Sequence, residues 1–102
     1  MAKKPPHCPV GSRLREAREL LGISQKQLGI KAGMDEFSAS ARMNQYERNK
    51  HVPDYSTTAR LAKALGVPVT YLYANNDELA QLILDFSRAS QRKRQQVRKL
   101  LK

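Results

Sequence analysis

Residues 20–33 read LLGISQKQLGIKAG, and four of them, Gly22, Ser24, Gln27 and Gly33, decide how the chain is organised. Leu14, Ala17 and Leu21 precede Gly22 at three- and four-residue spacing, the pattern of one helix face, with Ser12 placed to cap the helix start. Gly22 suits the left-handed stop position, and Ile23 folds back on the helix it leaves. Ser24 then opens a second helix as its N-cap, and Gln27, three residues on, completes a capping-box pattern. Leu28 and Ala32 of that helix face inward, and Gly33 ends it.

Working outward, residues 34–38, MDEFS, form a turn, and Ser38 or Ala39 opens a third helix within SASARMNQYERNK, residues 38–50. This helix runs to about Arg48, with Asn49 as its stop. At about 100° per residue, Met43 and Tyr46, with Ala39 beside them, point one way. Ala41, Asn44, Gln45 and Arg48 point the other way, flanked by Ser40 and Arg42. Small residues near the helix start and amide or guanidinium groups further along let such a face lie close to a surface rich in donors and acceptors. Base edges in the major groove are such a surface: Gln and Asn pair with adenine, Arg with guanine, and Ala or a hydroxyl sits near a thymine methyl. A solvated face is the plain alternative for polar residues on one helix. The short preceding helix, beginning with Ser24 and Gln25 where a phosphate can be met, favours the nucleic-acid reading.

Further along, Pro53 lies in a connecting loop, and Asp54 caps a fourth helix carrying Ala59, Leu61, Ala62 and Leu65 before Gly66. Pro68 starts a short fifth helix through Tyr73. Asn75 to Asp77 open a segment with a stripe of Leu79, Leu82, Ile83 and Phe86, and a last helix from Ser90 places Val97, Leu100 and Leu101 on one side. Almost nothing alternates with period two, so the fold class is all-α. At the other end, Pro5, Pro6 and Pro9 predict an irregular N-terminal arm over residues 1–10. His7 beside Cys8 in that arm has no partners with which to form a metal site.

The 102 residues suffice for one modest core. Nineteen Lys and Arg against nine Asp and Glu leave +10, which favours a polyanionic partner such as nucleic acid or an anionic membrane surface. One cysteine, Cys8, excludes an intramolecular disulfide and a cysteine metal cluster, as expected in a reducing cytosol. With neither a signal-peptide run nor a membrane-length apolar stretch, the sequence predicts a cytoplasmic protein. A glycine-rich phosphate loop, a metal-ligand pair at helical spacing and a nucleophile set are all missing from the sequence, so neither catalysis, a cofactor nor a small-molecule ligand is expected.

The motifs, taken in order, resemble the helix-turn-helix domain of the phage repressor and Cro group, the Xre-like bacterial transcription regulators. The resemblance covers roughly residues 11–73 and rests on Leu14 and Arg18 before Gly22, Ser24–Gln25, Leu28, Ala32–Gly33, Tyr46–Arg48, Pro53, and LAKALGV at 61–67. It implies a compact five-helix repressor-like domain over residues 11–74, with one or two extra helices in a C-terminal extension over 75–102. It further implies sequence-specific binding of double-stranded DNA, as a repressor on a palindromic operator. On the matching positions, Ser40, Ala41, Arg42, Asn44 and Gln45 would lie at or near base edges, Asn44 being the weaker member. Ser24, Gln25, Ser38, Arg48, Lys50 and His51 would meet backbone, and Arg18 would brace Glu47 across helices. The stretch MDEFSAS, 34–40, departs from the family pattern by enlarging the turn.

Family members commonly act as dimers, and Leu79, Leu82, Ile83 and Phe86 are the candidate homodimer seam, or else intramolecular core. Residues 87–102 hold seven Lys and Arg and no acid, so they carry +7 of the net +10. That segment either packs its apolar side on residues 79–86 or on a second subunit, or it touches the DNA backbone. An antitoxin paired with a toxin, or a basic module on RNA or a membrane surface, is the alternative function; the thin apolar face of the last helix argues against membrane insertion.

Overall fold

The computed structural model of the protein describes residues 8–102, in which seven helices and no strand are found. They are α1 (Val10–Leu21), α2 (Gln25–Lys31), α3 (Ala39–Glu47), α4 (Tyr55–Leu65), α5 (Val69–Leu72), α6 (Asp77–Arg88) and α7 (Gln91–Leu100). Most boundaries follow local chemistry. Ser24 Oγ accepts from the Gln27 N–H at 3.0 Å while Gln27 Oε1 accepts from the Ser24 N–H at 2.8 Å, so the capping box at the start of α2 is complete. Asp54, Asn76 and Ser90 cap α4, α6 and α7 from one side only, each side-chain oxygen accepting from the backbone N–H three residues on. Gly22 and Gly66 take the left-handed conformation that closes α1 and α4.

Three expectations fail, all in and around α1. Ser12 caps nothing: α1 starts at Val10, the Pro9 carbonyl accepts from the Arg13 N–H at 3.0 Å, and Val10 is sealed in the core. Pro9 and Val10 thus belong to the helix start instead of to the irregular arm expected over residues 1–10; residues 1–7, with His7, lie outside the described residues. Leu21, expected to face inward with Leu14 and Ala17, is nearly half exposed. The last turn of α1 overhangs a shallow cleft that Leu21 lines with Leu20, Leu65, Val67 and Leu84.

The core is drawn from every helix but α7. Val10 and Leu14 of α1, Leu28 of α2, Ala39 and Met43 of α3, Leu61 and Leu65 of α4, Leu72 of α5 and Leu84 of α6 form one buried cluster. Each large aliphatic side chain fully buried there contributes about 1.5–3 kcal/mol relative to exposure. Two glycines let the helices meet at close range. A Cβ on Gly29 would lie 2.8 Å from Ala39 Cβ, so α2 and the start of α3 touch through their smallest residues. A Cβ on Gly11 would lie 2.5 Å from the Tyr46 carbonyl oxygen, so α1 passes directly against the end of α3.

The extension is joined at its near end by Arg13, a buried residue of α1. Its Nε donates to the Ala74 carbonyl at 3.1 Å and its Nη1 to Asp77 Oδ1 at 3.0 Å and Glu16 Oε2 at 3.1 Å, with the guanidinium beside the Tyr71 ring. Burial disfavours the charge of Arg13, but the hydrogen bonds to Asp77 and Glu16 outweigh it and raise its pKa. Beyond this anchor, Ala80 and Leu84 of α6 turn inward. No residue of α7 is buried.

Candidate nucleic-acid interface

The third helix is held by an ion pair on its inner side. Arg18 Nε donates to Glu47 Oε2 at 2.7 Å and Nη2 to Glu47 Oε1 at 2.9 Å, a bidentate pair in which the carboxylate side chain is only 3% exposed. Arg18 Nη1 also donates to the Ile23 carbonyl at 3.0 Å, which fixes the guanidinium to the turn between α1 and α2. The hydrogen bond to Glu47 raises the Arg18 pKa. A buried carboxylate without its cation would keep a desolvation cost of several kcal/mol, so this geometry resists rotation of α3 about its axis.

With Ala39, Met43 and Glu47 buried, the opposite face of α3 is set. Ser40, Ala41, Asn44, Gln45 and Arg48 are exposed on it, and Arg42 is half-buried with Nη2 donating to the Tyr46 hydroxyl at 3.1 Å. Asn44 is engaged as well: Gln25 Nε2 donates to Asn44 Oδ1 at 3.4 Å and to Glu47 Oε1 at 3.2 Å. Gln25 therefore joins α2 to α3, and its amide is already committed within the fold. Arg15, Arg18, Gln25, Asn44, Glu47 and Arg48 together line a polar hollow of about 230 Å³ between the first three helices.

Around this face lie the remaining groups named from the sequence. Ser24 is exposed, its hydroxyl oxygen occupied by the capping bond. Ser38 precedes α3 and makes no capping bond to it through its side chain. Past α3 the chain turns at Asn49, a non-glycine residue with φ of 59°, and Lys50 N and His51 N both donate to the Gln45 carbonyl, at 2.9 and 3.4 Å. Lys50 and His51 are exposed at this turn, level with the end of the helix. The third helix thus gathers the five candidate base-reading residues on one exposed or half-exposed face, with Lys50 and His51 at one end and Ser24 and Gln25 at the neighbouring helix start. Missed in the sequence were Arg13, Gly11 and Gly29, whose partners lie on other helices.

The four seam candidates divide. Leu79 and Leu82 are 42% and 47% exposed, whereas Ile83 packs against the core edge and Phe86 is half-buried. Leu82, Ile83 and Phe86, with Pro68, Val97 and Leu101, line an open apolar cleft of about 320 Å³ between α6 and α7. Arg94 holds α7 there, its Nε donating to the Phe86 carbonyl at 2.9 Å and its Nη2 to the Ser87 carbonyl, with the guanidinium 5.8 Å from the Phe86 ring centroid. No helix among the described residues is long and apolar enough to cross a membrane.

Comparison with known proteins gives a consistent picture. Residues 11–78 match the helix-turn-helix domain family. Among solved structures, the crystal structure of the transcriptional regulator BswR is similar, with a TM-score of 0.83 and 52% sequence identity over 89% of this chain and 90% of that one. No curated protein sequence matches the chain.

Proposed function

From the premise that this chain belongs to the helix-turn-helix domain family, we propose that it is a DNA-binding transcription regulator acting as a repressor on a palindromic operator. The observation that carries the reading is the exposed polar face of α3, fixed in orientation by the Arg18–Glu47 pair. Residues 11–74 are the DNA-binding unit. In a helix-turn-helix domain the second helix of the motif enters the major groove and its N-terminal residues reach base edges. Ser40, Ala41, Arg42 and Gln45 take that position, with Asn44 at the margin because Gln25 holds its amide oxygen. Arg42 releases the Tyr46 hydroxyl to reach a guanine. Ser24, Ser38, Arg48, Lys50 and His51 hold phosphates, and Gln25 joins them by turning the amide N–H that Asn44 holds at 3.4 Å towards the backbone.

The molecule acts in the cytoplasm as a homodimer, without a catalytic step of its own. Support for the dimer comes from the exposed Leu79 and Leu82 and from the open apolar cleft beside α7, surfaces that residues 75–102 leave uncovered in one chain. Two copies double the base pairs read.

Selection of bound fragments from random duplexes tests the reading. An enriched motif with two-fold symmetry is expected, and Gln45→Ala is expected to lose about 1–3 kcal/mol on it while relaxing preference at particular base pairs. Lys50→Ala is expected to weaken all duplexes about alike. Equal losses on specific and random duplexes for both variants would overturn the assignment of α3.

A further inference from the structure

The turn between α2 and α3 carries an aromatic side chain that the fold does not use. Met34 and Ala39 are buried at its two feet, so residues 35–38 arch outward, and Phe37 in that arch is 89% exposed. The arch is ordered from within: the Phe37 N–H donates to Asp35 Oδ2 at 3.0 Å, and the Asp35 carbonyl accepts from the Ser38 and Ala39 N–H groups at 3.1 and 2.9 Å. Phe37 is therefore presented on a preformed turn, two residues before the first residue of the helix that faces the groove.

Resting on the DNA-binding reading above, we propose that Phe37 is a further specificity-determining residue, whose ring packs on the 5-methyl group of a thymine in the major groove. Three features select this contact. The N-terminal end of the recognition helix is the part that approaches base edges, and two residues span at most about 7 Å of chain, so Phe37 stays at that end. The Asp35 carboxylate is bonded back to the Phe37 N–H, which holds the turn in shape while the ring stays outside it. A phenyl ring has no donor or acceptor for a base edge, and the thymine methyl is the apolar group the major groove offers it. The enlarged turn would in this way extend the reading of α3 by one base pair in each half-site.

Thymine-to-uracil replacement removes that methyl and leaves base pairing intact. Full-length wild type and Phe37→Ala are to be titrated against the preferred duplex and against versions in which each thymine in turn is replaced by uracil. At one position per half-site, loss of the methyl should weaken wild type about fourfold, the cost of exposing one buried methyl-sized group. Phe37→Ala should lose a similar factor on the thymine duplex and be indifferent to uracil there. Because the side chain is exposed, the variant should melt with wild type. An unchanged uracil profile in Phe37→Ala overturns the proposal, including the case in which the ring serves a protein partner instead. Gln45→Ala, measured in parallel, separates the two levels. Base preference altered by Gln45→Ala but not by Phe37→Ala removes only the Phe37 contact, whereas no sequence preference in any of the proteins removes the DNA reading as well.

Discussion

Helices α3 and α7 are of similar length, nine and ten residues, and both present a polar outer face, yet they are held in opposite ways. In α3, Ala39 and Met43 are inaccessible, Glu47 is paired underneath, and Gly29 and Gly11 admit α2 and α1 to close contact. In α7 no residue is buried, and attachment rests on Arg94 and on the half-covered Val97 beside Phe86. A helix fixed on its inner side by packing can offer polar groups at defined positions. A helix fixed only at its edge offers charge, and an apolar stripe awaiting cover. On the reading proposed above, the difference would separate a reading surface from an assembly or electrostatic surface within one small chain.

The sharpest way to break this contrast is to remove the pair under α3. Glu47→Ala leaves the partly buried Arg18 guanidinium without its carboxylate and should cost about 3 kcal/mol, read from urea denaturation, with DNA binding falling in proportion to the folded fraction. An unshifted denaturation midpoint would mean that packing alone orients the helix. Next in size is Gly11→Ala. Its Cβ would press on the Tyr46 carbonyl oxygen, and the clash should cost about 1–2 kcal/mol once overpacking is set against the better helix propensity of alanine. A stabilised variant would show that the two helices can separate freely.

Deleting residues 90–102 should, by contrast, change the stability of the remaining domain by less than about 1 kcal/mol, the range of substitutions that touch no core. The deletion should shift sedimentation towards monomer and weaken binding on palindromic duplexes while sparing a half-site. If the helix touches phosphates instead, the salt dependence of log affinity should flatten by roughly 0.9 per lost contact. Smallest of all is the effect of Asp54, whose carboxylate accepts hydrogen bonds from the Thr57 backbone and side chain and so titrates below its ordinary value of 3.8. That cap is intact above the ordinary value and is lost as pH falls through the lower value in the folded chain. Asp54→Asn, which caps without a charge, should therefore lose less stability than wild type over that acid interval, measured by denaturation midpoints at successive pH values.

What the sequence disclosed follows the range of each interaction. Ser24 with Gln27, Asp54 with Thr57, Ser90 with Lys93, and the closures at Gly22 and Gly66 join residues within one turn, and all were readable. Ser12 misled because the start of α1 is decided by burying Val10, a tertiary event. Arg13 finds its partners at Ala74 and Asp77, and Gly11 its neighbours on α3, so no local pattern marks either residue. The Arg18–Glu47 pair spans 29 positions and was reached through resemblance to a family, since spacing alone does not single it out. Gln25 shows the same limit inside the candidate interface: its type and place suggest a phosphate contact, but its bonds to Asn44 and Glu47 emerge only when α2 and α3 are docked.

The buried carboxylate of Glu47 also bears on the thermodynamics of association. If α3 is the helix that docks, as proposed, it is already ordered by its own protein and has no backbone entropy left to surrender, so the duplex should meet a preformed surface and not drive folding. Calorimetry across temperature should then give a modest negative heat-capacity change, well short of that for a segment that folds as it binds.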